Sequence, residues 1–229
     1  MSIIEARNLH KHYKQGNTVV KALNGVSFDV EKGEFVAIIG PSGSGKSTLL
    51  NLIAGLEPPT KGTIKMAGKQ IENYTENQLV AFRRMNVGFI FQSYNLLNTM
   101  NAVENVALPL AFRGIGKEER NRLARKYLEL VGLGDRMNNM ASDLSGGQQQ
   151  RVGIARALVC KPKIIFADEP TGNLDSKSTM DILHLLQDIV KENKQTLVMV
   201  THDPNVSAYA DRRIRIVDGM IDNSEEGAT

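Results

Sequence analysis

A glycine-rich stretch with one lysine, GPSGSGKST at 40–48, carries residues suited to binding phosphate. Glycines let backbone N–H groups converge on an anion, and the N-terminus of a following helix adds partial positive charge. A glycine-rich turn that binds nothing is disfavoured, because the stretch fits the whole G-x-x-x-x-G-K-[ST] pattern between an apolar strand and a helix. We therefore expect it to bind a nucleoside triphosphate through Gly40, Pro41, Ser42, Gly43, Ser44, Gly45, Lys46, Ser47 and Thr48. Lys46 can reach the outer phosphates, and the Ser47 hydroxyl can ligate Mg²⁺.

Two acidic residues, Asp168 and Glu169, follow the apolar run KIIFA. Ligands of open α/β sheets bind at the carboxyl ends of strands. We expect Asp168 to hold the magnesium ion through a water molecule, and Glu169 to act as general base for the attacking water. Taken alone, such a pair more often starts a turn or caps a helix; the phosphate-binding stretch favours the functional interpretation.

Three more polar side chains are candidates near strand ends. His202 follows the run TLVMVT, where an imidazole can reach a γ-phosphate, although a single histidine there is more often structural. Gln92 ends VGFIFQ, and its amide can bind metal or water. Tyr13 can stack on a nucleotide base, with an ordinary strand aromatic as the equal alternative.

A second glycine-rich turn, LSGGQ at 144–148, precedes a segment whose apolar residues Val152, Ala155 and Leu158 recur at helical spacing. It is a second helix N-terminus suited to an anion. Two phosphate-binding turns in one chain are explained if each nucleotide is bound by the first turn of one copy of the chain and by the second turn of another copy.

The elements that must position these residues alternate along the chain. Short apolar runs at 35–40, 87–92, 163–169 and 196–203 are typical of strands buried on both faces of a parallel sheet. Segments with helical spacing lie between them, which predicts an α/β fold. The first thirty residues are β-rich, and the charged segment 113–137 predicts a separate helical lobe.

Composition excludes several classes of protein. The 229 residues carry a net charge of +3, and the basic residues are spread along the chain, which disfavours nucleic-acid binding. No signal peptide and no run of about 20 apolar residues that could span a bilayer is evident. We expect the single cysteine, Cys160, to be a small core residue in a reducing compartment. A GTPase is disfavoured by the absence of a guanine-reading N-K-x-D motif.

In this order, Tyr13, GPSGSGKST, Gln92, LSGGQ, IIFADE, NLDS and His202 resemble the A-loop, Walker A, Q-loop, signature, Walker B, D-loop and H-loop of ATP-binding cassette (ABC) ATPases. The resemblance covers nearly the whole chain. It implies one ABC domain over 1–229: a P-loop NTPase with a RecA-like core, an N-terminal antiparallel β-subdomain and an α-helical signature subdomain at about 93–160.

The resemblance also implies a head-to-tail homodimer that binds two ATP molecules with Mg²⁺. Ligands to the metal would be Ser47, Gln92 and Asp168, and the catalytic residues would be Glu169, His202 and Gln92. Across the dimer, the γ-phosphate would contact the signature residues Ser145, Gly146, Gly147 and Gln148. Asp175 of the D-loop would link the two sites.

More closely, the flanking sequences resemble the MacB/LolD type of cassette, with Asn98 departing from the proline that many members carry. This implies a separate transmembrane permease (FtsX/MacB-like), a cytoplasmic location on the inner face of the membrane, and export or mechanical work beyond it. An FtsE-like regulator without transport is the alternative. Gln92 and the segment 94–109 are the candidate coupling surface, unless Leu96, Leu97, Met100 and Val103 are buried in the helical lobe. The early end of the chain leads us to expect no regulatory C-terminal domain.

Overall fold

The computed structural model of the chain describes residues 1–16 and 18–222. Its strands are β1 (Ser2–Gln15), β2 (Thr18–Glu31), β3 (Phe35–Ile39), β4 (Lys61–Met66), β5 (Lys69–Gln70), β6 (Val87–Phe91), β7 (Ile164–Asp168), β8 (Thr196–Val200), β9 (Arg212–Val217) and β10 (Met220–Ile221). Its helices are α1 (Lys46–Ile53), α2 (Glu76–Asn86), α3 (Ala102–Phe112), α4 (Lys117–Leu130), α5 (Gly146–Leu158), α6 (Ser176–Asn193) and α7 (Pro204–Ser207), with a 3-10 turn at Ala141–Asp143. The last residues, on which the expectation of no further domain rested, lie outside the described residues.

The chain forms two compact units. The first unit comprises Met1–Arg83 together with the described residues from Thr196 onward, and the second comprises Arg84–Gln195. No helix among the described residues is long and apolar enough to cross a membrane.

An antiparallel sheet in the order β2-β1-β4-β5 forms part of the first unit. In β2, the side chains of Val26, Phe28 and Val30 are buried while Ser27 is exposed. A strand with one face on the core and the other toward solvent has this period of two. The predicted antiparallel β-subdomain is therefore present.

Parallel strands form the rest of the first unit. β3 pairs in parallel with β8 on one side and with β9 on the other, and β10 pairs antiparallel with β9. All five residues of β8 are buried, as expected for a continuously apolar strand in a parallel sheet. The strand pairing matters for the site, because Ile38 of β3 lies opposite Val200 of β8.

The second unit combines two parallel strands with helices. β6 pairs with β7 in a register that places Phe91 opposite Asp168. Helices α3, α4 and α5 pack on one another and bury Val106, Leu128 and Ile154. The apolar stripe of α6 is buried as its spacing predicts, through Ile182, Leu183, Leu186, Ile189 and Val190. Cys160 is only half-buried, so its prediction as a core residue is wrong.

Candidate active site

The phosphate-binding stretch connects β3 to α1 and depends on glycine at two positions. Gly40 has φ 146° and Gly45 has φ 102°, both in the left-handed region. A Cβ atom would lie 2.0 Å from the carbonyl oxygen of Ile216 at Gly40, and 2.4 Å from that of Ala22 at Gly45. Only glycine fits this backbone path, which brings the loop close to two neighbouring chain segments.

The loop encloses polar groups that suit an anion. The ammonium group of Lys46, whose residue is 7% exposed, donates to the carbonyl oxygens of Gly40 and Pro41 at 2.9 and 2.7 Å. The Oγ atom of Ser44 is buried and has no hydrogen-bond partner among the described residues. The first turn of α1 contains no acidic residue, and Gly45 provides no side-chain cap. A polyphosphate would balance the lysine charge and accept from the open helix N-terminus.

Tyr13 of β1 lies beside this loop. Its hydroxyl donates to Glu57 at 2.8 Å, its side chain is also hydrogen-bonded with Thr48, and the Lys11 ammonium lies 5.2 Å from its ring centroid. Burial raises the pKa of Glu57, but hydrogen bonds from Tyr13 and Lys11 outweigh it and hold that pKa below its usual value. The tyrosine is therefore anchored by its hydroxyl next to the last residue of the phosphate-binding stretch.

His202 lies two residues beyond β8 and is exposed. The backbone N–H of Thr201 donates to the carbonyl of Ile38 at 3.1 Å, which carries the β3–β8 pairing to the carboxyl ends of both strands. The next residue, Asp203, caps α7 by accepting from the Asn205 N–H at 2.8 Å. The phosphate-binding loop follows β3 and His202 follows β8, so both lie at the carboxyl ends of neighbouring parallel strands.

In the second unit, Gln92 and the acidic pair also leave neighbouring strands at one edge. Asp168 ends β7 opposite Phe91, so Gln92 and Glu169 are the next residues of the two strands. Asn173 connects the two segments: its side chain donates to the Gln92 carbonyl at 3.1 Å and accepts from the Gln92 amide at 3.4 Å. A Cβ atom on Gly172 would lie 2.7 Å from Nε2 of Gln92. The Gln92 side chain is therefore held against the turn that follows Asp168 and Glu169.

The signature turn is the capped N-terminus of α5. Ser145 and Gln148 form a reciprocal capping box, in which Gln148 N–H donates to Ser145 Oγ at 3.4 Å and Ser145 N–H donates to Gln148 Oε1 at 3.0 Å. The S-x-x-Q spacing is the sequence signature of such a box, so this cap is predictable from the local sequence. With two side chains used in the cap, the backbone of Gly146 and Gly147 forms the rest of the first turn.

Both signature glycines are in close contact with neighbouring segments. A Cβ atom on Gly146 would lie 2.8 Å from the Tyr94 hydroxyl, and one on Gly147 would lie 3.1 Å from Oγ of Ser178. Asp175 caps α6 by accepting from the Ser178 N–H at 3.0 Å and its hydroxyl at 2.7 Å. Those hydrogen bonds hold the pKa of Asp175 below its usual value. Signature and D-loop therefore meet through Ser178.

The turn after Gln92 has an unusual backbone. Tyr94 and Asn95 have φ 58° and 49°, and Arg156 of α5 donates to the carbonyl oxygens of both. Farther along the predicted coupling segment, Val103 is 3% exposed whereas Leu97 is 43% exposed. Val103 therefore belongs to the interior of the helical part, and Leu97 is left available at the surface.

Within each unit, the structure brings the predicted residues together. The first contains Tyr13, the stretch 40–48 and His202; the second contains Gln92, Asp168, Glu169, Asp175 and the signature residues 145–148. Asn173 and Arg156 were not predicted, because nothing in their local sequence indicates which distant backbone they bind.

Comparison with known proteins identifies the family. The family described as ABC transporter matches residues 23–172 of the chain. The chain belongs to the ABC transporter ATPases. As a cassette of this family, it is an ATP-binding, ATP-hydrolysing transporter subunit.

Relatives of the cassette include proteins with and without a fused permease. An ABC transporter ATP-binding protein of Methanocaldococcus jannaschii is 50% identical over 96% of this chain and 97% of its own length. The macrolide export ATP-binding/permease protein MacB of Syntrophobacter fumaroxidans is 45% identical over 100% of this chain, which covers 32% of that protein. The resemblance to MacB that the sequence predicted is therefore confirmed.

A solved structure confirms the fold class of the cassette. The dimeric ATP-binding cassette MJ0796, bound to ADP and Pi in a post-hydrolysis state, superposes with a TM-score of 0.88. It is 42% identical, and the match covers 96% of each chain. The fold is that of an ABC ATPase with its β- and α-subdomains.

Each of the two units contains an oxygen donor of the type that a magnesium ion accepts. No group of three or more His, Cys, Asp and Glu side chains that could hold a metal occurs among the described residues. Mg²⁺ in nucleotide sites does not need such a group, because one or two side chains and the substrate phosphates complete its coordination. The Ser47 hydroxyl at the start of α1 and the Asp168 carboxylate at the end of β7 are donors of the required type.

Proposed function

We propose that this chain hydrolyses Mg-ATP at two sites shared by a head-to-tail dimer of itself, and that the cycle of dimerisation drives a separate membrane permease. One observation carries the proposal: the cassette has two helix N-termini built for anions, at α1 and at α5, each with glycine in its turn and no acidic residue in its first turn. The dimeric state of the 42% identical cassette MJ0796 supports it.

The phosphates of ATP would be held by the stretch 40–48. The buried Lys46 ammonium can exchange its two carbonyl partners for phosphate oxygens, and the unpartnered Ser44 hydroxyl can donate to them. Tyr13, anchored next to Thr48, would stack on the base. Ser47, Asp168 and Gln92 would hold Mg²⁺, which when bound neutralises charge on the β- and γ-phosphates.

Hydrolysis would use the residues at the strand ends. The oxygen of a water molecule attacks the γ-phosphorus, the bond to the bridging oxygen of ADP breaks, and the water proton passes to the Glu169 carboxylate. Gln92 would orient this water through its amide, which Asn173 holds in place. His202, on the exposed turn after β8, would donate to a γ-phosphate oxygen.

The signature residues would complete the site across the dimer. Because the Ser145 and Gln148 side chains close the capping box, the backbone N–H groups of Gly146 and Gly147 are the donors that the turn offers to a γ-phosphate. Asp175, held by its hydrogen bonds to Ser178, would connect one site to the other. No catalytic step then occurs until ATP has brought two copies together.

The partner would be a transmembrane permease of the FtsX/MacB type. Its presence would place the cassette at the cytoplasmic, inner face of the membrane. The name of MacB, which combines an ATP-binding part with a permease that exports macrolides, supports export or work on the far side of the membrane. Gln92 and the surface part of 94–109, centred on the exposed Leu97, would receive the permease. We further propose that 1–229 is a single ABC domain, with a helical subdomain at about 93–160.

The test combines ATPase assays with size-exclusion chromatography and light scattering on the Glu169→Gln variant. We expect the wild type to hydrolyse ATP and the variant to lose at least about 10²-fold in rate, the lower end of general-base contributions. The variant should be a dimer in Mg-ATP and a monomer without nucleotide, whereas a Lys46→Ala control should stay monomeric in both. A Glu169→Gln variant that hydrolyses ATP normally and never dimerises would contradict the proposal.

A further inference from the structure

The backbone of Glu169 is strained. Its φ is 44°, in the left-handed region that residues with a side chain rarely adopt. The next residue is Pro170, and a proline ring favours extended conformations of the residue before it. Such a conformation persists only where the surrounding structure fixes it, and it is found preferentially at functional sites. The direction in which Glu169 carries its carboxylate therefore depends on what holds this turn.

Several hydrogen bonds hold the turn, besides those that connect Asn173 to Gln92. Two come from within it: Gly172 N–H donates to the Glu169 carbonyl at 3.0 Å, and Leu174 N–H donates to the Thr171 carbonyl at 3.1 Å. Another comes from α5, where the side-chain amide of Gln150 donates to the Pro170 carbonyl at 2.5 Å. Gln150 thereby connects the signature helix to the peptide that follows Glu169.

Packing does not explain an amide at position 150. Gln150 is 0% exposed, and its Oε1 atom is buried with no hydrogen-bond partner among the described residues. A buried acceptor without a partner costs its full desolvation penalty. Methionine has a similar length and would fill the space without that penalty. The amide is accounted for by its N–H donor, which reaches the Pro170 carbonyl.

We propose that Gln150 is a positioning residue for the general base: its hydrogen bond to the Pro170 carbonyl holds the strained Glu169 backbone in the conformation that directs the carboxylate toward the attacking water. The proposal rests on the proposed role of Glu169. A general base must lie within hydrogen-bond reach of the proton it removes, and a displacement of about 1 Å can cost about 10²-fold in rate.

Removing the Gln150 donor should slow the chemical step and leave ATP binding unchanged. Without the Gln150 donor, Pro170 and Thr171 remain buried, so the turn persists while its strained residue can relax toward extended conformations. ATP binding should be unaffected, because the Gln150 amide bonds to the Pro170 carbonyl and not to a residue proposed to hold nucleotide. Thus kcat should fall while KM for ATP stays.

The experiment compares kcat, KM for ATP and the midpoint of urea unfolding in four proteins: the wild type, Gln150→Met, Gln150→Leu and Val152→Ala. For Gln150→Met we expect kcat to fall about 10- to 100-fold, with KM within about twofold and the unfolding midpoint unchanged or higher. Gln150→Leu also removes the donor and brings no charge into the buried position, so it should lose as much in kcat and decides the matter if the methionine variant fails to fold. The Val152→Ala control removes two buried methyl groups from the same helix, and should lower the midpoint while keeping kcat.

Two results would overturn the role of Gln150: a kcat within twofold of wild type in Gln150→Met, or an equal loss of kcat in Val152→Ala, which would make the effect one of stability. Glu169→Gln, measured alongside, separates the two proposals. If that variant is inactive and Gln150→Met is normal, only the positioning role fails. If Glu169→Gln itself is active, the proposed base fails first.

Discussion

The contact between Gly146 and Tyr94 predicts that Gly146→Ala lowers the free energy of unfolding of the wild type but raises that of a Tyr94→Phe variant. A Cβ atom on Gly146 would lie 2.8 Å from the Tyr94 hydroxyl, about 0.6 Å inside the 3.4 Å at which ordinary contact begins. The next nearest atoms are Cδ2 of Leu174 at 3.5 Å and Cζ of Tyr94 at 3.7 Å, both at ordinary distances. The hydroxyl alone therefore causes the clash.

The two opposing contributions have known sizes. Replacing glycine by alanine where the backbone suits a side chain favours folding by about 0.4–1 kcal/mol, because the unfolded chain has fewer conformations to lose. Forcing one extra carbon into a packed site costs about 1–3 kcal/mol. We expect Gly146→Ala to destabilise the wild type by about 0.5–2 kcal/mol, because the crowding outweighs this gain. In a Tyr94→Phe background the crowding is absent, and the same change should stabilise by about 0.5 kcal/mol.

Urea unfolding of the four proteins of this double-mutant cycle measures the prediction. The coupling between the two positions should be about 1–2.5 kcal/mol, the difference between these two effects. Gly134→Ala provides the matched control, because its added Cβ would meet only the Glu129 side chain at an ordinary 3.6 Å; its effect should be the same with tyrosine or phenylalanine at position 94. An equal effect of Gly146→Ala in both backgrounds would refute the reasoning.

Two further predictions concern the coupling surface and the cluster around Tyr13. Leu97→Glu should change the free energy of unfolding by no more than about 0.5 kcal/mol, yet it should weaken permease-stimulated ATPase activity in vesicles. Val103→Glu, at a buried position, should instead destabilise the protein by about 3 kcal/mol or more. Normal stimulation in Leu97→Glu would contradict the coupling role. Glu57→Gln should lower stability at neutral pH, because a carboxylate with a lowered pKa stabilises the fold above its unfolded pKa and loses that contribution as the pH falls through its folded pKa. Urea unfolding of the wild type and Glu57→Gln from pH 7 to pH 3 should show their difference in free energy of unfolding disappear as the pH falls below 4.5, the usual pKa of glutamate. A difference that stays constant with pH would exclude the ionised carboxylate as its cause.

The elements and the family were predictable because their signals are local. A continuously apolar strand, a glycine-rich turn and a helix can be read within about twenty residues, and β3, the 40–48 stretch and α1 occur where the pattern indicates. The capping box of Ser145 and Gln148 has an equally local signal, the S-x-x-Q spacing. The half-burial of Cys160 and the burial of Val103 depended on which helices pack together.

The sequence by itself determined the chemistry that this protein can perform: a lysine and hydroxyls after glycines, a carboxylate pair after an apolar strand, and a second glycine-rich helix start. Tertiary structure decided how those groups are held. Gln150 reaches Pro170 across 20 residues and Asn173 reaches Gln92 across 81, and no local preference specifies such a pair. The left-handed φ of Glu169 likewise runs against the preference that Pro170 imposes, so only contacts formed on folding can maintain it.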